Sequence, residues 1–211
     1  MSTDDEPGVP ETVWRRPIPA YGREGAAHPA FWLLGAHGGA GVSTLTQVML
    51  PAGDCMRKWP SGHPSESPLV VIVARTHGTG LSAAHRQIAR YFPQGAVPDG
   101  LVFAGLITIA DGPGKLPSAM RHHLSLVADA ARKAGGEHWH LPWVEQWRTC
   151  PREDLPRWHP RDRPMLGRSR SAADPGAQPP VEVIEAGQAL LRKARDVIAN
   201  TNPPIPERNV S

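Results

Sequence analysis

Cysteine is scarce in this sequence, with only Cys55 and Cys150 among 211 residues. The two cysteines form no CxxC pair and have no metal-site spacing, so neither a disulfide framework nor a zinc-binding module is predicted. Free thiols are typical of proteins in a reducing compartment. Long apolar runs are also lacking, since no stretch approaches the roughly 18 residues that cross a membrane. The acidic residues 1–6 do not resemble a secretory signal. We therefore expect a cytoplasmic protein without a membrane span.

A strong charge of one sign is lacking too. The formal net charge is +3 and the pI is about 9.2. Arginine is scattered through the second half of the chain and forms no single stripe. A mild excess of this kind is typical of a solvated surface, so nucleic acid is not expected as a partner.

Proline and glycine are plentiful, with 24 and 21 residues, and irregular segments are therefore expected. Residues 1–28 combine prolines and charges without periodicity and predict a disordered arm. Residues 151–180 are rich in proline and arginine and predict a linker. Between these segments, residues 29–150 are predicted to form one α/β domain. Residues 181–200 are predicted to form a C-terminal helix.

Strands and helices are predicted to alternate within that domain. The valine-rich run at residues 69–74 is typical of a strand covered on both faces. Helical spacing follows at residues 81–92, and another strand at 101–110. This alternation indicates βαβ units and a short, mainly parallel sheet. Residues 51–68 are rich in proline, glycine and serine, and we predict a loop without a strand there.

The most informative stretch is residues 31–45, with the sequence FWLLGAHGGAGVSTL. A buried strand, a glycine-rich turn and the start of a helix are the arrangement of a phosphate-binding P-loop. Glycine allows phosphate oxygens to approach backbone N–H groups, because no Cβ intrudes. The following helix would direct the positive end of its dipole to the same place. A working P-loop has a lysine immediately before the Ser/Thr, whereas Val42 occupies that position here.

This loop resembles that of the ParA/MinD family of deviant P-loop NTPases, which reads KGGxGK before Ser/Thr residues. His37 takes the place of the first lysine and Val42 that of the second, while residues 38–41 and 43–44 keep the pattern. The loop is more similar still to the degenerate, lysine-lacking TadZ-like branch, whose loops read GGxGxSTL. The similarity extends over about residues 30–148. The whole chain also resembles an uncharacterised family from high-GC bacteria.

The resemblance implies a reduced, three-layer P-loop-NTPase-like domain that binds ATP or GTP with Mg²⁺. The residues it implies for the nucleotide are His37, Gly38, Gly39, Ala40, Gly41, Val42, Ser43, Thr44 and Asp111. Ser43 would contact the metal, and Asp111 lies near the base-contacting Asn of the family. Arg75, at the end of the strand at 69–74, is a candidate for a substitute cation or an ordinary loop arginine.

The acids that the family uses to bind Mg²⁺ are missing. The family has two further strands, each with an aspartate, before the strand at 69–74. Here Asp54 precedes no hydrophobic run, and if residues 69–74 were the acid-bearing strand, Ala74 would replace the acid. Phosphoryl transfer without the lysine and the acids loses several kcal/mol of transition-state stabilisation. No catalytic residue is therefore predicted.

The resemblance implies a non-catalytic pseudo-NTPase that acts as a regulatory or scaffolding component of a mobile element. Its loop is either nucleotide-binding or vestigial. Two alternatives remain open. One is a slow ATPase or GTPase that uses a non-standard cation, and the other is a protein-interaction module with a dead loop.

Two features predict a protein partner. Trp139, Trp143 and Trp147 form an amphipathic surface typical of an interface, although they also suit the end of a sheet. The apolar residues of the 181–200 helix repeat at near-heptad spacing, so this helix packs on its own domain, forms a homodimer or binds a partner.

His138 and His140 alternate on one face of a strand, but they lack a carboxylate at ligand spacing and predict no zinc site.

Overall fold

The computed structural model describes residues 13–18, 28–92, 99–161 and 178–201. In these residues, one parallel sheet contains the strands β1 (Phe31–Gly35), β2 (Ala52–Asp54), β3 (Leu69–Arg75), β4 (Val102–Ile109) and β5 (Glu137–Leu141). The helices are α1 (Val42–Val48), α2 (Gly78–Tyr91), α3 (Ser118–Lys133), α4 (Gln146–Thr149) and α5 (Val181–Thr201), with a 3₁₀ turn at Arg152–Asp154. The strand order is β2-β1-β3-β4-β5. The predicted α/β class and parallel sheet are confirmed.

The sheet is buried on both faces, as the valine-rich central strand predicts. Side chains of β3 alternate between two apolar clusters, with Val71 and Val73 in one and Val70 and Ile72 in the other. Helices α1 and α5 contribute to the first cluster, and α2 and α3 to the second. The molecule therefore has three layers, and every apolar residue of β3 is removed from water.

The prediction that residues 51–68 contain no strand is wrong. Ala52–Asp54 pairs in parallel with β1, and Asp54 lies opposite Leu33. A Cβ at Gly53 would overlap the ring of Trp32, so packing against this ring and not strand propensity determines the residue type. Asp54 is the last residue of β2 and therefore lies at the carboxyl edge of the sheet.

Residues 13–18 lie within the predicted arm but pack on the domain. Val13 and Ile18 are buried, and the Ile18 N–H donates a hydrogen bond of 2.6 Å to Glu66 Oε1. Val13 also forms a bridge with Trp59. This packing differs from the disordered arm predicted for these residues. The rest of that arm, residues 1–12 and 19–27, lies outside the described residues.

Residues 151–161 likewise pack on the domain, in contrast to the predicted linker. Leu155 and Trp158 are buried, and the Trp158 N–H donates to the Val48 carbonyl at 2.7 Å. The 3₁₀ turn is thereby held against the C-terminal end of α1. Residues 162–177 of the predicted linker lie outside the described residues.

Helix α5 follows the first of its three predicted possibilities and packs on its own domain. Val183, Leu190 and Ala194 are buried against the same face of the sheet as α1. The apolar face of α5 is therefore covered within the chain, while Ile198 is 60% exposed. None of the helices in the described ranges combines the length and apolar character needed to cross a membrane.

Candidate functional site

The glycine-rich loop, residues 36–41, lies at the carboxyl edge of the sheet between β1 and α1. From β1 the chain first adds β2 on one side and then β3 on the other, so the strand order reverses at β1. Doubly wound sheets bind ligands in the crevice at such a reversal, outside the carboxyl ends of the strands. The topology therefore places the loop where a ligand site is expected.

A cavity of about 500 Å³ lies over this loop. Gly41 has a φ of 98°, and a Cβ there would lie 2.7 Å from Ile109 Cδ1, so this position requires glycine. No side chain caps the N-terminus of α1. Because α1 has only seven residues, its dipole is a weaker source of positive potential than the sequence suggests. Side chains of the lining add to that potential.

Three arginines supply it, each from a different segment. Arg57 follows β2, Arg75 ends β3 and Arg152 begins the 3₁₀ turn, and all three line the cavity. The carboxylate in the lining is that of Asp54, whose Oδ1 accepts a hydrogen bond of 2.6 Å from the Met56 N–H. The lining therefore has an excess of positive charge, which favours an anionic ligand.

Arg75 lies beside the glycine-rich loop. Its Nη2 would lie 3.9 Å from a Cβ at Gly41, and its Nη1 donates to the Ala110 carbonyl at 3.2 Å. The guanidinium carbon is 5.8 Å from the ring centroid of Trp143, and that of Arg148 is 5.2 Å away. The guanidinium group of Arg75, the candidate for a substitute cation, therefore lies next to Gly41 and Trp143.

A smaller cleft of about 50 Å³ adjoins the main cavity and shares Gly41, Thr44 and Arg75 with it. Its other walls are largely apolar and come from Leu45, Ile109, Ala110, Leu141, Pro142, Trp143, Val144, Trp147 and Arg148. Trp143 is half-buried, and its Nε1 donates to Glu145 Oε2 at 2.7 Å. A charged cavity beside an aromatic cleft suits a ligand with a phosphate end and an apolar, planar end.

His37 lines the cavity, but both of its ring nitrogens are engaged by the backbone. Nδ1 lies 2.8 Å from the Gly38 carbonyl oxygen, and Nε2 accepts a hydrogen bond of 3.1 Å from the Arg75 N–H. This pattern requires the proton on Nδ1. The ring also makes an edge contact with His77, at 4.9 Å between centroids. His37 therefore connects the loop to the end of β3 and does not reproduce the lysine of the resembled family.

The remaining predicted site residues divide into two groups. Residues 38–44 all line the cavity, although the side chains of Ala40 and Val42 are buried. Ser43 is exposed there. Asp111 lines neither of the two cavities described above, and its backbone N–H donates to Thr76 Oγ1 at 3.2 Å. Asp111, which the resemblance puts near a base-contacting position, therefore lies outside both cavities, whereas Trp143 lines the smaller one.

Sequence reasoning missed Arg57 and Arg152. Arg57 lies in a left-handed backbone conformation, with a φ of 65°, that no local glycine signals. Arg152 falls in the segment predicted as a linker, and this segment packs on the domain beside the cavity through Leu155 and Trp158. Neither residue carried a sequence signal beyond its charge.

Two of the three predicted interface tryptophans are half-buried against the core. Trp139 and Trp147 pack against the cluster beneath α1 and α5, which agrees with the alternative that they cover the end of the sheet. Within the described ranges, no three His, Cys, Asp or Glu side chains gather closely enough to hold a metal ion.

Comparison of the sequence with known proteins identifies the family of this chain. No curated protein and no solved structure matches the chain. The sequence profile of a family of unknown function, DUF6668, matches residues 29–156. The matched region contains the five strands, the glycine-rich loop and all three arginines of the cavity. Since the match covers more than half of the sequence, the chain belongs to the DUF6668 family.

Proposed function

We propose that this chain binds a nucleotide by its phosphates over the glycine-rich loop and does not hydrolyse it. It would then be a ParA/MinD-like pseudo-NTPase that acts through its bound state, as a regulatory or scaffolding component of a mobile element. The observation that carries the proposal is the convergence of three arginines on one cavity above an exposed glycine backbone.

The size and charge of the cavity support a nucleotide phosphate chain. A volume of about 500 Å³ falls in the range of small-molecule sites, and its lining is cationic. A guanidinium group forms paired, charge-assisted hydrogen bonds with phosphate oxygens. Arg75 is already adjacent to Gly41, where a phosphate oxygen would meet the backbone. The lost lysine is thus compensated by a cation from another strand.

The adjoining cleft supports a nucleotide over bare phosphate. At about 50 Å³ it is too small to enclose a base, so a base would lie against the half-buried ring of Trp143. Stacking of a base on an aromatic side chain contributes roughly 1–3 kcal/mol. Binding of ATP should therefore be stronger than binding of inorganic triphosphate.

Two residues, Val42 and Asp54, argue against hydrolysis. Val42 is 8% exposed and would contact a Cβ at Gly35, so the lysine position is part of the core. The carboxylate of the lining, Asp54, is committed to the Met56 N–H through one oxygen. Phosphoryl transfer needs charge neutralisation and an oriented nucleophile, and this lining offers only the first.

The test is titration calorimetry of the full chain with ATP, ADP, GTP and GDP. Arg75→Ala should weaken binding at least about tenfold, because a charge-assisted hydrogen bond contributes about 1.5–3 kcal/mol. Arg86→Ala is the matched control, since Arg86 is an exposed arginine of α2 outside the cavity lining. No binding by the wild type at millimolar nucleotide would contradict the proposal and favour the interaction module. Phosphate release that Arg75→Ala abolishes would favour the slow ATPase or GTPase.

A further inference from the structure

We infer that the cavity binds the polyphosphate chain of its ligand without Mg²⁺, with Arg57, Arg75 and Arg152 in place of the metal and the lysine. This inference rests on the proposed function and specifies its ligand as a metal-free polyphosphate anion. It also departs from the Mg²⁺ nucleotide that the family resemblance implies.

The side chains of the cavity do not fit a magnesium ion. Mg²⁺ takes oxygen ligands in octahedral geometry and is usually bound through one or two carboxylates together with phosphates. The Ser43 hydroxyl and the Asp54 carboxylate are the nearest match in the lining. Three guanidinium groups share the same cavity, and their charges repel a divalent cation. A polyphosphate anion, in contrast, complements this lining directly.

Asp54 has a different role, which is to shape the turn that presents Arg57. Its Oδ1 accepts a hydrogen bond of 2.6 Å from the Met56 N–H. Met56 and Arg57 then adopt left-handed conformations, with φ values of 50° and 65°. Two successive non-glycine residues in this region are rare, so the turn depends on the carboxylate–backbone hydrogen bond. The Arg57 side chain is exposed and lines the cavity.

Arg152 is positioned by the core beneath it. Leu155 and Trp158, three and six residues further on, are buried. Two backbone hydrogen bonds join Trp158 to the end of α1 and the residues that follow it: the Trp158 N–H donates to the Val48 carbonyl at 2.7 Å, and the Trp158 carbonyl accepts from the Leu50 N–H at 3.3 Å. The 3₁₀ turn is therefore fixed to the helix that follows the glycine-rich loop. The backbone that carries Arg152 is therefore fixed at the edge of the cavity.

The experiment is calorimetry of the full chain with ATP in EDTA, with ATP in excess Mg²⁺, and with inorganic tripolyphosphate in EDTA. ATP should bind in EDTA at least as tightly as in Mg²⁺, because the metal neutralises charge that the arginines recognise. Tripolyphosphate should also bind in EDTA. Arg57→Ala and Arg152→Ala should each weaken both metal-free titrations roughly tenfold. Arg86→Ala should leave them unchanged.

Asp54→Asn distinguishes a carboxylate that shapes the turn from a carboxylate that binds Mg²⁺. The amide oxygen still accepts from the Met56 N–H, but the negative charge is lost, so metal-free affinity should stay equal or rise. A metal-dependent site would lose affinity in the same variant. Each variant should stay folded, because the substituted side chains are exposed or half-buried, and circular dichroism would check this.

Three results would overturn the inference. ATP binding that requires Mg²⁺ and disappears in EDTA would refute it while leaving nucleotide binding intact. Binding in EDTA that is unaffected by Arg57→Ala and Arg152→Ala would place the anion elsewhere. Failure of every titration would refute both this inference and the proposed function.

Discussion

At the scale of single residues, His138 and His140 of β5 share one hydroxyl group. Thr108 Oγ1 lies 2.9 Å from His138 Nε2 and 3.0 Å from His140 Nδ1, and Thr108 is fully buried. The same oxygen lies 3.5 Å from the Trp139 carbonyl oxygen, and a hydroxyl has one proton, so it donates to only one of these three groups. Burial, with the charges of Arg132 and His140, lowers the pKa of His138 to about 4. Burial also lowers the pKa of His140. The folded protein therefore holds both rings neutral at neutral pH.

We predict that His138 makes the protein less stable in weak acid. Its pKa is about 4 when folded and near 6.5 when unfolded, so the unfolded state takes up a proton first. The contribution of His138 to the free energy of unfolding is complete above pH 6.5 and is lost as the pH falls to about 4. Its size is no more than about 2 kcal/mol, because the ring is partly solvated. Urea unfolding across this pH range would measure it.

His138→Gln removes the titrating ring and should flatten that part of the curve. Other groups titrate in the same range, so the difference between wild type and variant is the quantity of interest. An identical pH dependence in both proteins would show that His138 is not the group responsible.

At the scale of the element, α5 shows how packing overrides helix propensity. Gly187 lies inside this helix and is buried, although glycine is a poor helix former. A Cβ at this position would overlap the ring of Trp158. The glycine therefore allows α5 to approach the segment that carries Arg152. The C-terminal helix therefore packs directly on Trp158, in the segment that carries the cavity residue Arg152.

We predict that Gly187→Ala destabilises the protein, although alanine is the better helix former. The propensity gain is about 1 kcal/mol, whereas overpacking a core costs about 1–3 kcal/mol. The melting temperature should therefore fall. Glu185→Ala is the control, because Glu185 is exposed on the same helix and should change stability by less than about 0.5 kcal/mol. A rise in melting temperature for Gly187→Ala would contradict the packing described here.

At the scale of the whole molecule, the core extends beyond the region that the family shares. The DUF6668 match ends at residue 156, before Trp158 and α5. These elements cover one face of the sheet, and residues 13–18 join the cluster on the other face. The fold is therefore completed by segments on both sides of the matched region.

We predict that a fragment of residues 29–156 does not fold stably. Loss of α5 would expose the sheet face that contains Phe31, Leu33 and Val71, all of which are now fully buried. Each large apolar side chain contributes about 1.5–3 kcal/mol through burial, and a typical domain is stable by only about 5–15 kcal/mol. Circular dichroism melting and size-exclusion chromatography would measure the outcome. A cooperative transition near that of the full chain would contradict the prediction.

Local signals were enough to predict most of the elements. The apolar runs of β1, β3 and β4 were recognisable because each strand is buried on both faces. Helix α5 was recognisable from its periodic apolar residues. Strand β2 was missed because three residues, Ala52–Asp54, are too few for a periodic signal and pair only through contact with β1.

In the candidate site, too, some features depend on local sequence and others on contacts between distant parts of the chain. The order of residues along the chain determined the strand–loop–helix unit, the glycine at position 41 and the absence of a lysine at position 42, because these depend on neighbours in sequence. The tertiary structure alone decided that Arg57 and Arg152 meet Arg75 over that loop. Their convergence depends on the pairing of β2 and the burial of Trp158, which are contacts between distant parts of the chain. The charge of the cavity is therefore a property of the fold, which no single segment carries.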